Sequence, residues 1–500
     1  MKQSIYTAIV MGSNALKLKI IQRSGKNVQI LENISEPIAL GNDIFEDFII
    51  KKETLNEIIR ILTHFGTAMS TYEVDEYEAV ATSAVEKAVN GLQILDIIQM
   101  KTGLLFEVLE ESMEKGLIYK SLGEQVEDYR ALRRSSLLVS VNSGTCDVSI
   151  YHRNKLVKND EIELGTKAMK SLLGELEHLT VNYPYEMSLF INVKASPLKA
   201  GIEQKQLKHF VYMGSFSGQL REKFFKGAVK VSKKEFEKLY ERSVYDHQTF
   251  RKEVEGLELD WYEFLINVLI VHNILSWSKA TALLIPEVSL RDGIILEAIE
   301  RSTSQKSSVD QDAIQLAYAM SRRYKCSEKH IKYMEKTAMS IFSLMKAPYR
   351  LDDRDALLLR ISAILLDIGK YANASNFEKV TYDRINQLRI IGISKAEHLL
   401  VALVCRQLIG RELLQISKTK LAGENAFNTR VNRMAAILGI AYALDAGMTQ
   451  RVHIKNIKLN ENRMKLYVDG IYDMALEEWY FEKAADVFLQ TFDIEVELRS

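Results

Sequence analysis

Two short stretches combine residue types that could grip a phosphate. The first, Gly12-Ser13-Asn14, follows the apolar run Tyr6-Thr7-Ala8-Ile9-Val10-Met11 and precedes the alternating segment Leu16-Lys17-Leu18-Lys19-Ile20. Glycine lets the backbone approach a bound group closely, and short polar side chains and amides at a turn suit an anionic oxygen. The second stretch, Asn142-Ser143-Gly144-Thr145-Cys146-Asp147, sits between the runs Ser135–Val141 and Val148–Tyr151 and repeats the same plan. Gly-Ser-Asn is also an ordinary hairpin turn, so one loop alone leaves both readings open. Two of them predict a duplicated domain with a ligand in the cleft between the halves.

The elements that must hold these loops alternate in type. Leu55, Ile58, Ile59, Leu62 and Phe65 have helical spacing and predict a helix over Thr54–Tyr72. A strand over Glu76–Ala81, a helix over Val85–Lys101 and a strand over Leu105–Leu109 follow, which argues an α/β sheet. A polar link, Gly123–Arg134, leads to a second α/β domain with strands at Ser188–Val193 and His209–Met213 and a long helix around Trp261–Ala280. Ser302–Gln311, rich in Ser, Gln and charge, is the clearest linker. Beyond it the pattern is helical, over Ala313–Tyr324, Glu328–Met345, Arg354–Leu366, Lys395–Leu408 and Arg430–Leu444. The tail predicts strands at Val452–Leu459 and Arg463–Val468, a helix over Ala475–Phe488 and a last strand. The expected domains are 1–122, 123–301, 312–449 and 450–500.

Five hundred residues exceed one core, and the composition, 47% hydrophobic and 26% charged, is that of a globular protein. Formal net charge is zero, so no global field attracts nucleic acid or polyphosphate, and any anion site must be local. Lys223, Lys226, Lys230, Lys233 and Lys234 form a basic cluster with Phe224 and Phe225 interleaved; with Glu235, Glu237 and Glu241 following, it reads as a solvated helix face. Cys146, Cys326 and Cys405 are too scattered for a disulfide framework, and none of the nine histidines recurs at metal-ligand spacing. Neither a signal peptide nor a membrane-length apolar run is present, so a cytoplasmic, non-membrane protein is expected.

Further segments give the two loops a context: Glu78–Gly91 with Ala81-Thr82-Ser83-Ala84 and Asn90, Thr102–Val108, Glu114–Tyr119, Leu164-Gly165-Thr166, Met213-Gly214-Ser215 and Ser289-Leu290-Arg291-Asp292-Gly293. In this order they resemble the exopolyphosphatase and guanosine-pentaphosphate phosphohydrolase (Ppx/GppA) family of the sugar-kinase/Hsp70/actin superfamily. The resemblance implies a duplicated RNase H-like N-terminal half, followed by a helical, HD-like domain and a small α+β cap. It also implies hydrolysis of the terminal phosphoanhydride of polyphosphate or guanosine pentaphosphate with Mg²⁺, and a homodimer. Carried over residue by residue, it implies Glu114 as the base that activates water. Gly12, Ser13, Asn14, Asn90, Gly144, Thr145, Asp147, Gly214 and Arg291 become the phosphate or ligand contacts.

This chain departs from the family pattern in one direction. Val10 and Ser140 stand where the two loops usually carry Asp, Asn142 and Ser143 replace glycines, and Glu86 and Ala39 replace arginines. Magnesium needs hard oxygen ligands, which valine lacks, and Glu86 repels a polyanion that Arg would attract. Phosphoryl transfer rests on positioning and charge neutralisation, so the expectation is a kept fold with impaired or absent hydrolysis. The alternative is a non-catalytic sensor or partner-binding protein for a phosphorylated ligand. In the C-terminal half, His330 and Leu365-Leu366-Asp367-Ile368-Gly369 resemble HD-type metal phosphohydrolase helices, with Leu366 in place of a histidine. That region is expected to be a packing domain, with His330 on a helix surface.

Overall fold

The computed structural model describes residues 4–499 apart from 26, 75, 127, 215, 304–306, 372–375, 411–421 and 471–473. It divides into two compact units, Met1–Asp312 and Ala313–Ser500. Ser215, one of the segment residues singled out above, lies outside the described residues.

In the N-terminal unit, β1 (Ser4–Met11), β2 (Ala15–Ser24), β3 (Asn27–Pro37), β4 (Glu78–Thr82) and β5 (Glu107–Leu109) form a sheet in the order β3-β2-β1-β4-β5. The first three run antiparallel, whereas β4 pairs parallel to β1 and β5 parallel to β4. A second sheet contains β6 (Ser135–Val141), β7 (Cys146–His152), β8 (Lys155–Ile162), β9 (His209–Gly214), β10 (Lys230–Ser232) and β11 (Ala282–Leu284). Its order is β10-β11-β9-β6-β7-β8, with β6, β7 and β8 antiparallel and β9 and β11 continuing parallel. Apart from the extra edge strand β10, this is the same path as the first sheet. A three-strand meander running into parallel strands is the RNase H-like arrangement, and it occurs twice, as the duplicated loops predicted.

Sequence pattern explains the layers. The last five residues of β1, Thr7 to Met11, are all buried, as befits a central strand covered on both faces. On β2 only Leu16, Leu18 and Ile20 of the alternating stretch go inward. The helix Lys52–Thr71 lays Leu55, Ile58, Ile61, Leu62, Phe65 and Met69 into the same core as Ile9, Met11 and Leu16. Ala8 and Val10 face the opposite way, into a small cluster with Val80, Ile294 and Ile295.

Three expected elements differ. The helix over Val85–Lys101 is broken into Ser83–Glu86 and Gly91–Thr102, because Val89 N donates to Phe48 O and the Asn90 side chain is bound to Ile50. The link Gly123–Arg134 is largely helical: the helix Glu111–Gln125 runs into it, and Asp128 caps a short helix, Tyr129–Arg134, that buries Leu132. The strand expected at Ser188–Val193 lies inside the helix Tyr183–Lys205. Its β-branched and aromatic residues favour a strand locally, but Met187, Ile191, Ala195, Leu198 and Ile202 bury at helical spacing, and tertiary burial overrides the weak local preference. The lysine cluster is no single helix face either. It is spread over the helix Ser217–Phe225, its C-cap, β10 and the helix Lys233–Tyr245, while Phe224 and Phe225 pack against the core.

The C-terminal unit has helices at Glu328–Met345, Asp353–Leu365, Phe377–Gln387, Lys395–Gly410 and Ala422–Ala443. They are followed by β12 (Val452–Asn460), β13 (Arg463–Gly470), the helix Ala475–Phe492 and β14 (Glu495–Arg499). His330 is not on a surface: it is 2% exposed, its Nδ1 lies 2.7 Å from Asp445 Oδ2, and its Nε2 faces Asp367 at 3.7 Å. Burial alone would raise the Asp445 carboxyl, but hydrogen bonds from His330 and Gln450 hold it below the usual range. The buried face of the Glu328 helix, from His330 through Ile331 and Met334 to Ala338, explains why an imidazole is carried inward.

A tight junction in the N-terminal unit joins the helices Glu111–Gln125 and Leu290–Ser302. A Cβ on Gly293 would overlap the Leu117 carbonyl. One turn on, the Lys120 ammonium, 3% exposed, sits between Glu297 and Glu300. Gly293→Ala should therefore destabilise the protein by about 1–3 kcal/mol through overpacking, although helix propensity alone would give a gain of about 1 kcal/mol. Chemical denaturation of the two proteins gives the sign directly.

Candidate functional site

Both loops are built the same way. At the first tip Gly12 N donates to Ala15 O, closing the turn, while Gly41 N donates to Ser13 O at 2.6 Å and Ile38 N to Asn14 O at 3.0 Å. The tip carbonyls are thus fixed by the segment after β3, and the Asn14 side chain is left exposed. At the second tip Asn142 N donates to Thr145 O, and Thr166 N donates to Asn142 O at 3.1 Å. Gly165 rests against the backbone of Ser143 and Gly144 so closely that a Cβ would overlap it. A Cβ on Gly144 itself would point into open space, and Thr145 is half-buried. Gly214, at φ 128°, is pressed onto Val141, which is a packing reason for glycine there.

Beside the second loop lies a concentrated set of charges. Strand register puts Asp147 between Ser140 on β6 and Glu161 on β8. The helix Glu111–Gln125 brings Glu111, Glu114 and Lys115 to it from one face, since residues three and four apart stack on a helix. Ligand oxygens of Glu111, Asp147 and Glu161 lie within 4.8 Å of one another. The Lys115 ammonium, on a side chain 10% exposed, is bonded to Asp147 Oδ1, and Asn142 Nδ2 lies 3.3 Å from Asp147 Oδ2. Burial pushes the Asp147 carboxyl up to about 6 while the Lys115 charge pulls it down. Part of Glu114 reaches solvent, yet it is packed densely enough that burial, with the charges of Glu111 and Asp147, lifts it to about 7.

Residues 9–133 match the sequence model of the Ppx/GppA phosphatase family. Over that segment the chain is similar to Ppx/GppA phosphatases. Among solved structures, an Aquifex aeolicus Ppx/GppA family member is 16% identical, covering 60% of this chain and 99% of that one at a TM-score of 0.48. An exopolyphosphatase from Cytophaga hutchinsonii is 17% identical, covering 61% and 99%, also at 0.48.

Several Ppx/GppA-like positions are engaged in the scaffold. Asn90 accepts from Ile50 N and donates to Ile50 O, both at 2.9 Å, so its carboxamide splices two loop segments together. Arg291 Nη1 donates to Leu18 O and Ile34 O, fastening its helix to β2 and β3. Val10, in place of the first aspartate, is 5% exposed in its apolar cluster. The residues present do not fit the magnesium that the Ppx/GppA family implies. Asp147 has both oxygens engaged by Lys115 and Asn142, Val10 offers no ligand atom, and Ser140 carries no charge.

Sequence reading passed over Lys115 and Lys17. Lys115 stands directly after Glu114 at a buried helical position, where an unpaired lysine would be costly. That position was the available signal. Lys17 lies opposite Val10 in the β1–β2 register, and burial together with the Arg291 charge lowers its pKa.

The Glu114 carboxyl binds its proton more tightly in the folded state than its ordinary value of 4.5 would allow. Its contribution to stability is therefore full below about 4.5 and is lost as pH rises through about 7. Glu114→Gln should flatten the fall in melting temperature over that window, as seen in thermal scans at a series of pH values.

Proposed function

We propose that this protein binds a phosphorylated ligand, a polyphosphate or a nucleotide carrying a phosphoanhydride, through the Ser13–Asn14 and Thr145 loops. In the same reading it has given up metal-dependent hydrolysis. The observation that carries this is the Lys115 ammonium on Asp147, the one carboxylate in either loop stretch. Two matched turns with fixed tip carbonyls, the first carrying the exposed Asn14, support a binding role. The pKa of Glu114 favours a second reading, slow metal-independent hydrolysis. There Glu114 takes a proton from water as the oxygen attacks the terminal phosphorus and the anhydride oxygen leaves with the shortened chain. Among the described residues no helix is long and apolar enough to cross a membrane. The free thiols Cys146, Cys326 and Cys405 suit a reducing, cytoplasmic setting.

Calorimetry with polyphosphate and with guanosine pentaphosphate should detect binding that Ser13→Ala with Asn14→Ala weakens by about tenfold or more, close to 1.4 kcal/mol. Phosphate release should not depend on Mg²⁺; under the second reading it rises with pH through about 7 and is lost in Glu114→Gln. Mg²⁺-dependent release, or no binding of either ligand, overturns the proposal.

A further inference from the structure

The carboxylates of Glu111, Asp147 and Glu161 come from a helix and two strands, and all lie within 4.8 Å of one another. Such a spacing is what oxygen ligands around one divalent cation require, since each sits a little over 2 Å from the ion. A cation is already there. Lys115 reaches the cluster from the Glu111 helix, is 9% exposed, and bonds Asp147 Oδ1. Asn142 holds the second Asp147 oxygen, so the least exposed carboxylate of the three has its acceptors engaged by the chain itself.

We infer that Lys115 is a built-in counter-cation that fills the position of a divalent metal, and that removing its ammonium creates a divalent-cation site at Glu111, Asp147 and Glu161. The inference deepens the reading of the site as metal-independent and rests on the same Lys115 contact. It explains how Asp147 can stay buried beside Glu111 and Glu161 without an ion from solution. An ammonium offers one charge, donates hydrogen bonds and cannot be lost to a chelator. A divalent ion offers two charges and open coordination positions for a phosphate oxygen. The chain has exchanged polarising power for permanence.

The test is titration with Mn²⁺, read by electron paramagnetic resonance and by thermal shift. Wild type and Lys115→Arg should show no site, and their melting temperatures should not move with the metal. Lys115→Met should bind one Mn²⁺ where wild type binds none, and gain melting temperature with it, because a ligand bound only to the folded state stabilises it. Adding Asp147→Asn to Lys115→Met should remove the binding. If Lys115→Met cannot fold alone, refolding with Mn²⁺ present should recover it. The inference is overturned if wild type binds Mn²⁺ at a site that Asp147→Asn abolishes. It is equally overturned if Lys115→Met gains no Mn²⁺ or Mn²⁺ does not recover its fold. Metal binding is read here without any phosphate ligand, so this result and the assays for ligand binding and phosphate release can fail separately.

Discussion

The helix Glu111–Gln125 is held from several sides, and the N-terminal unit is organised by that constraint. Lys115 ties it to β7 through Asp147, Leu117 lies against Gly293, and Lys120 locks between Glu297 and Glu300. Arg133, just beyond the helix, is paired with Asp312, which also accepts from Tyr151. A buried charge without its partner costs several kcal/mol, so a helix slipped out of these contacts would be penalised. The position of Glu114 follows from them.

That constraint also sets the electrostatics. Asp147 and Glu114 sit in one crowded, poorly solvated region, and each is harder to ionise than usual. Lys115 offsets part of the cost on both, and Glu114, at about 7, is roughly half ionised at neutral pH. One carboxylate is engaged and the other is poised, and only their environments distinguish them.

Much of the scaffold was legible in the chain. Alternation in β2 and helical spacing in the Lys52 helix announce themselves because burial on one face leaves a periodic trace. The repeated turn announced the duplicated sheet. What could not be read locally was decided by distant partners. The residues Ser188–Val193 look extended until the core that receives Met187 and Ile191 is known. Asn90 looks like a ligand contact until Ile50 is found to occupy its carboxamide. His330 shows a partner in Asp367, but its second, Asp445, stands outside the recognised segment. At the candidate site, Glu114 and Asp147 were identified from motif positions. Lys115 went unnoticed, because a cation placed by three-dimensional convergence has no spacing rule.

The splice made by Asn90 onto Ile50, like the seat of Gly293 on Leu117, shows how a family-like residue can serve the scaffold. An alanine at either place would disturb the architecture, by losing the Ile50 bonds or by overlapping Leu117. Searches that reward such residues recognise ancestry and scaffold. What faces Asp147, here a lysine ammonium, says more about the local chemistry than either of these residues does.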